Sequence, residues 1–221
     1  KEKVRGEYSC KRISKKLKKM IREMLCSEVD LYNDYLSGNV YGFTLTDKEN
    51  AEKWLKANNI EKFILIHPFS GGSAKNLTDI QYSELIRRIL EEKIDYSAVI
   101  SSAKSDEKRA KEIVQNSKKE NVKVFVNEGS LLNLAALIDK ANLFIGTSTG
   151  PTHVAGALGK KIIGIYPIKK TQSPTRWGVY GNNNVSYILP EGDKEEDYST
   201  KAFISWGKKD IDKILNIIRS L

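Results

Sequence analysis

Four stretches of the chain place hydroxyls, small residues and charge in patterns that can hold an anion or a nucleotide. The strongest is Gly146-Thr147-Ser148-Thr149-Gly150-Pro151-Thr152-His153. Proline is favoured in the first turn of a helix, so this stretch reads as a loop that runs straight into a helix N-terminus. Free backbone N–H groups and the positive end of the helix dipole meet there, a physical recipe for binding phosphate. His153 falls in the first turn and can face the same ligand; a bare helix cap is the alternative. A second stretch, His67-Pro68-Phe69-Ser70-Gly71-Gly72-Ser73-Ala74-Lys75-Asn76, follows a short apolar run. Its small residues let a ligand approach the backbone and its N–H groups can form an anion-binding concavity. Lys75 adds a point charge. The spacing is not that of a Walker loop, and a plain strand-to-helix connection is the other reading.

The other two stretches are more ambiguous. Ser101-Ser102-Ala103-Lys104-Ser105-Asp106-Glu107 offers Asp106 or Glu107 as acceptors for a ribose, but acids in a first helical turn also simply complement the dipole. The polar segment from Pro167 to Gly181 carries Arg176-Trp177-Gly178-Val179-Tyr180-Gly181. Trp177 or Tyr180 could stack near a base or could serve packing. No nucleophile elbow, HExxH or CxxC pair occurs, and His67 is the only other histidine. Spacing gives no support for a metal.

The elements that must position these stretches follow from hydrophobic periodicity. Short apolar runs at Phe63–Ile66, Ser97–Ile100, Val122–Val126, Leu143–Ile145 and Ile162–Ile165 read as strands, and Tyr187–Leu189 as a last one. Helices alternate with them. Thr46-Asp47-Lys48-Glu49 reads as a capping box opening a helix to Ala57, and Thr78-Asp79-Ile80-Gln81 as a second. The second helix has Ile80, Leu85, Ile86, Ile89 and Leu90 on one side. Ser105 is expected to cap a helix to Asn116, and Ser130 one over Leu131–Asp139. Pro151 and Gly159 bound a helix whose Ala155, Gly156 and Ala157 allow close packing on the sheet. Asp210–Leu221 reads as the closing amphipathic helix. Strands buried on both faces and alternating with helices predict an α/β fold with a doubly wound parallel sheet. Ligands bind such sheets at the carboxyl ends of the strands, where all four stretches fall.

Composition adds bounds. The 221 residues suffice for one large domain, with 40% hydrophobic residues for a core and no run of 18 apolar residues to cross a membrane. Cys10 and Cys26 form no disulfide framework or metal pattern, which fits a reducing compartment. No signal peptide is visible. The chain starts at Lys1 rather than Met, which suggests a fragment or processed product. Of the net charge of +9, +7 lies in residues 1–24, with ten Lys/Arg against three Glu. This segment reads as partly helical around Ile13–Leu25, followed by the aromatic stretch Leu31–Leu36. It could touch anionic headgroups or nucleic acid, or be a solvated helix face. It lacks the interleaved aromatics of a nucleic-acid surface.

Several of these motifs together resemble the glycosyltransferase family 9 enzymes, the bacterial heptosyltransferases of lipopolysaccharide core synthesis. The matching residues are Ile66-His67-Pro68-Phe69-Ser70-Gly71 with Lys75, Ser130-Leu131-Leu132-Asn133-Leu134-Ala135-Ala136-Leu137, Ser148–Gly159, and Trp177–Gly181. The resemblance is good over 60–221 and loose over 25–59. It implies the C-terminal, Rossmann-like half of a GT-B fold. That half binds a nucleotide-sugar donor such as ADP-heptose, and the sugar passes with inversion to a lipid-linked saccharide acceptor without cofactor or essential metal. The donor-binding set implied is Ser70, Lys75, Asp106, Ser148, Thr149, Gly150, Pro151 and His153. Lys75 meets phosphate, Asp106 lies near the ribose, and Thr149–His153 cradle the diphosphate. Two departures stand out. Ser148 occupies the place where the family has Asp, and the N-terminal half that supplies the acceptor site and general base is absent. Residues 1–45 are then expected to be a remnant of that half and 46–221 the donor domain. The expected protein is a cytoplasmic glycosyltransferase, peripheral to the inner membrane through residues 1–24 and inactive as this fragment. A non-catalytic nucleotide-binding module derived from such an enzyme is the alternative.

Overall fold

The computed structural model describes residues 43–71, 75–190 and 202–221. The expectations for residues 1–42, and for Gly72, Ser73 and Ala74 of the Lys75 loop, lie outside the described residues. Six strands form one parallel sheet: β1 (Phe63–His67), β2 (Ser97–Ala103), β3 (Val122–Asn127), β4 (Leu143–Gly146), β5 (Ile162–Ile165) and β6 (Val185–Ile188). Their order across the sheet is β3-β2-β1-β4-β5-β6, every neighbouring pair parallel. The chain winds outward from β1 to β3, then returns to the other side of β1. The switch point is therefore the crevice between β1 and β4.

Helices cover both faces, as continuous apolar strands require. On one face lie α1 (Leu45–Ala57), α4 (Leu131–Lys140) and α5 (Gly150–Ala157); on the other lie α2 (Asp79–Glu92), α3 (Glu107–Ser117) and α7 (Lys208–Ile218). The short α6 spans Pro174–Trp177. Tyr82, Leu85, Ile86 and Ile89 of α2 are fully buried. They recur at helical spacing and form one stripe against the sheet. Each such side chain stabilises by about 1.5–3 kcal/mol.

Several boundaries differ from the sequence expectation, each for a local reason. The first helix begins at Leu45, because Thr44 rather than Thr46 is its N-cap. The Thr44 hydroxyl accepts from Asp47 N–H, and the Asp47 carboxylate accepts from Thr44 N–H. Thr78 and Gln81 form the expected box on α2. Ile80 is 73% exposed, since six residues of helix rotate it about 120° from Ile86. Ser105 sits within a 3-10 turn, Lys104–Asp106, and Asp106 takes the N-cap position of α3. The last strand and the last helix each begin two residues earlier than expected.

Candidate functional site

The loops after β1, β2 and β4 converge at the carboxyl edge of the sheet. His67 of β1 pairs in register with Gly146 of β4, so the Lys75 loop and the Gly146–His153 loop leave the sheet side by side. Gly146 is a packing requirement. A Cβ there would lie 2.7 Å from the Phe144 ring and 2.8 Å from Thr152 Oγ1. His67 is tied to the neighbouring strand β2, its Nδ1 lying 2.9 Å from Ser101 Oγ. Burial pushes the His67 pKa down to about 4, and the nearby Asp106 carboxylate only partly opposes this. The imidazole is thus neutral at physiological pH.

The Gly146–His153 loop is organised by its hydroxyls. Thr152 Oγ1 donates to Thr147 O over 2.6 Å and lies 3.3 Å from Thr149 Oγ1. Thr149 is the N-cap of α5, but its side chain makes no capping bond. Pro151 has no N–H, and His153 N–H reaches back to Thr149 O over 3.4 Å. The donors without helical partners are therefore the amides of Gly150 and Thr152. Gly150 is exposed, and a Cβ there would meet nothing within 4 Å. Ser148, Thr149, Pro151 and His153 are half-buried along the same turn, and burial lowers the His153 pKa. Ser102 Oγ of β2 and Thr147 Oγ1, one residue past β4, are buried without hydrogen-bond partners. Orphan hydroxyls of this kind are rare in a folded chain. Sequence reasoning did not single them out.

On the β1 side, Lys75 is buried at 1% exposure and Ser70 is half-buried. Arg109, also missed from sequence, bridges the first and second loops. Its guanidinium forms a two-point pair with Asp79 at 2.8 and 3.1 Å and lies 5.0 Å above the Phe69 ring. Asp106 is 3.5 Å from the same guanidinium, a looser contact that leaves its carboxylate half-exposed. Glu107 is instead spent on Lys104 and Lys111, which hold its pKa down to about 2. Of the two acids in this loop, Asp106 is the less tightly paired.

The fourth stretch resolves toward packing. Trp177 Nε1–H donates to Thr171 O at 2.8 Å, and Tyr166 OH donates to Trp177 O at 3.2 Å. Gly156 of α5 is kept small by Val179 of this stretch, not by the sheet, since a Cβ at Gly156 would lie 2.1 Å from Val179 Cγ1. Tyr180 remains 44% exposed. A shallow groove between α4 and α5 is lined by Phe43, Leu131, Leu132, Ala135, Val154 and Leu158. Its hydrocarbon walls offer nothing to orient a nucleotide. Among the described residues, no group of three or more His, Cys, Asp or Glu is placed to hold a metal ion, and no helix is long and apolar enough to cross a membrane.

Comparison with known proteins matches this arrangement. Glycosyltransferase family 9 (heptosyltransferase) matches residues 5–205. A glycosyltransferase-like protein of Haemophilus influenzae is 31% identical over 144 residues, 64% of this chain and 41% of that protein. The structure of E. coli ADP-heptose lps heptosyltransferase II superposes with a TM-score of 0.64 at 18% identity, over 81% of this chain and 52% of that one. E. coli heptosyltransferase WaaC with ADP gives a TM-score of 0.55 at 19% identity, over 77% of this chain and 48% of that one. The chain thus spans about half the length of these relatives, with which it shares the Rossmann-like α/β fold. From residues 5–205, the chain belongs to glycosyltransferase family 9, the heptosyltransferase family.

Proposed function

We propose that this chain is the donor-binding half of an inverting glycosyltransferase, corresponding to the C-terminal half of a GT-B enzyme. In this reading the donor is a nucleotide-diphosphate sugar, ADP-heptose in the first instance, and the acceptor is a lipid-linked saccharide of the lipopolysaccharide core. The observation that carries the reading is the register of His67 with Gly146. It sets a lysine-bearing loop beside a hydroxyl-rich helix N-terminus at the switch point, where doubly wound sheets bind nucleotides. E. coli heptosyltransferase WaaC, which shares this fold, is known in a structure with ADP.

The chemistry follows from the groups present. The amides of Gly150 and Thr152, with the hydroxyls of Ser148 and Thr149, take the diphosphate at the positive end of α5. Lys75 neutralises charge that grows on the leaving nucleoside diphosphate as the sugar bond breaks. Neutral His67 and His153 add no competing charge and leave that role to Lys75. Asp106 accepts from the ribose hydroxyls, and Ser70 lines the phosphate loop. The carboxylate that deprotonates the acceptor belongs to the partner half of the GT-B fold. In this reading the chain binds its nucleotide in the cytoplasm, with residues 1–24 against the anionic inner membrane. No cofactor and no nucleic-acid partner enter this reading.

A second reading, a nucleotide-binding module without catalysis, is favoured by one residue. Ser148 is neutral where the resemblance leads one to expect Asp, and it lies half-buried in the cradle. Calorimetric titration with ADP, UDP and their sugars tests the shared premise. Micromolar binding of ADP, weakened about 1–3 kcal/mol by Lys75→Ala, is expected. No binding to any of them by the folded chain would refute both readings.

A further inference from the structure

We propose that Asn76 is the positioning residue that holds Lys75 in place for a diphosphate. This rests on the reading of Lys75 as a phosphate ligand. The loop leaves β1 at Pro68 and must return to α2. Asn76 closes it across eight residues, its Nδ2 donating to Pro68 O at 2.6 Å. Its Oδ1 accepts two further bonds, from Leu77 N–H and from the Tyr82 hydroxyl, each at 2.8 Å. Both ends of the amide are thus used, one on the start of the loop and the other on Leu77 just ahead of α2 and Tyr82 within it. Tyr82 is fully buried, so its hydroxyl is a fixed anchor.

The Asn76 backbone is held as well. It bridges Ala202 in parallel fashion, and Asn76 O accepts from Phe203 N–H at 3.2 Å. Phe203 is buried in the core, and its own carbonyl accepts from Gln81 Nε2 at 2.9 Å. None of this is needed to start α2, which Thr78 and Gln81 already cap reciprocally. The bonds of Asn76 instead tie the residue after Lys75 to Pro68 and Tyr82. A lysine side chain is among the costliest to immobilise, and ordering it before the ligand arrives removes that cost from binding. Lys75, directly bonded to this clamp and 1% exposed, is such a case.

The test uses the full chain as wild type, Asn76→Ala, Tyr82→Phe, Lys75→Ala and the Asn76/Lys75 double variant. Acetylation of Lys75 by acetic anhydride, read by peptide mass spectrometry, reports its protection without any nucleotide. Titration with ADP and with adenosine reports its use. We expect Lys75 labelling to rise roughly tenfold in Asn76→Ala and less in Tyr82→Phe, which keeps the buried ring and so stays folded. ADP affinity should fall roughly tenfold in Asn76→Ala with adenosine affinity unchanged, and this loss should vanish when Lys75 is already alanine. Unchanged labelling in both variants overturns the proposal. So does equal weakening of ADP and adenosine, or an ADP loss that persists without Lys75. Should wild type bind no ADP while labelling still responds to Asn76→Ala, the functional reading falls and the positioning role stands.

Discussion

The loop after β4 and the long segment after β5 lie at the same edge of the sheet, and both are rich in polar groups. They differ in how those groups are spent. In the segment after β5, the Trp177 indole N–H and the Tyr166 hydroxyl are bonded to carbonyls of the same segment, and Val179 N–H donates to Tyr187 OH at 2.6 Å. In the loop after β4, the Thr149 hydroxyl makes no cap bond and Thr147 Oγ1 is orphaned in a buried position. The bonds of the segment after β5 tie it largely to itself and to β6, whereas the loop after β4 presents backbone donors at a helix N-terminus, an arrangement that suits the proposed anion.

Two glycines of α5 put this contrast into one helix. Gly156→Ala drives a methyl into Val179, and we expect a loss of about 3 kcal/mol in chemical denaturation, with little effect on ADP affinity per folded molecule. A loss below 0.5 kcal/mol would show that the segment after β5 is not docked on α5 as described.

The buried histidine sharpens the comparison on the β1 side. His67 titrates at about 4 in the folded chain against 6.5 for an unperturbed imidazole. The unfolded chain therefore binds more protons between these values, and stability should fall as pH drops through that window. The loss is up to about 3 kcal/mol at 1.36 kcal/mol per unit, less to the extent that the ring stays partly exposed. His153 adds to it with the same sign. Urea denaturation from pH 7 to 4, compared with His67→Gln, measures it; an identical pH slope in the variant would contradict the burial of His67. The smallest effect on stability belongs to Gly150→Ala, where a Cβ meets open space. Stability should change by less than about 0.5 kcal/mol, while ADP affinity drops several-fold because the methyl enters the cradle. Unaltered ADP binding would place the phosphate elsewhere.

Much of this was legible in the sequence. Continuous apolar strands and the Thr78–Gln81 box fix elements by local chemistry, and the Gly146–His153 stretch announces itself through proline, glycines and hydroxyls in sequence. What stayed hidden depends on contacts far apart in the chain. Arg109 joins the site only because Asp79, thirty residues away, meets it across the α2–α3 boundary. Gly156 reads as a sheet-packing residue until Val179 is seen against it. Thr46 reads as the cap because Glu49 stands three residues on, but Asp47 stands three residues after Thr44 in the same way, and only the backbone turn selects Thr44.

Amide chemical-shift mapping of the ¹⁵N-labelled chain titrated with ADP tests the central claim most directly. The account predicts that the largest shifts fall on Gly150, Thr152 and the residues around Lys75, with Trp177 and its neighbours little changed. Saturable shifts centred on the segment after β5, or none at all, would contradict it.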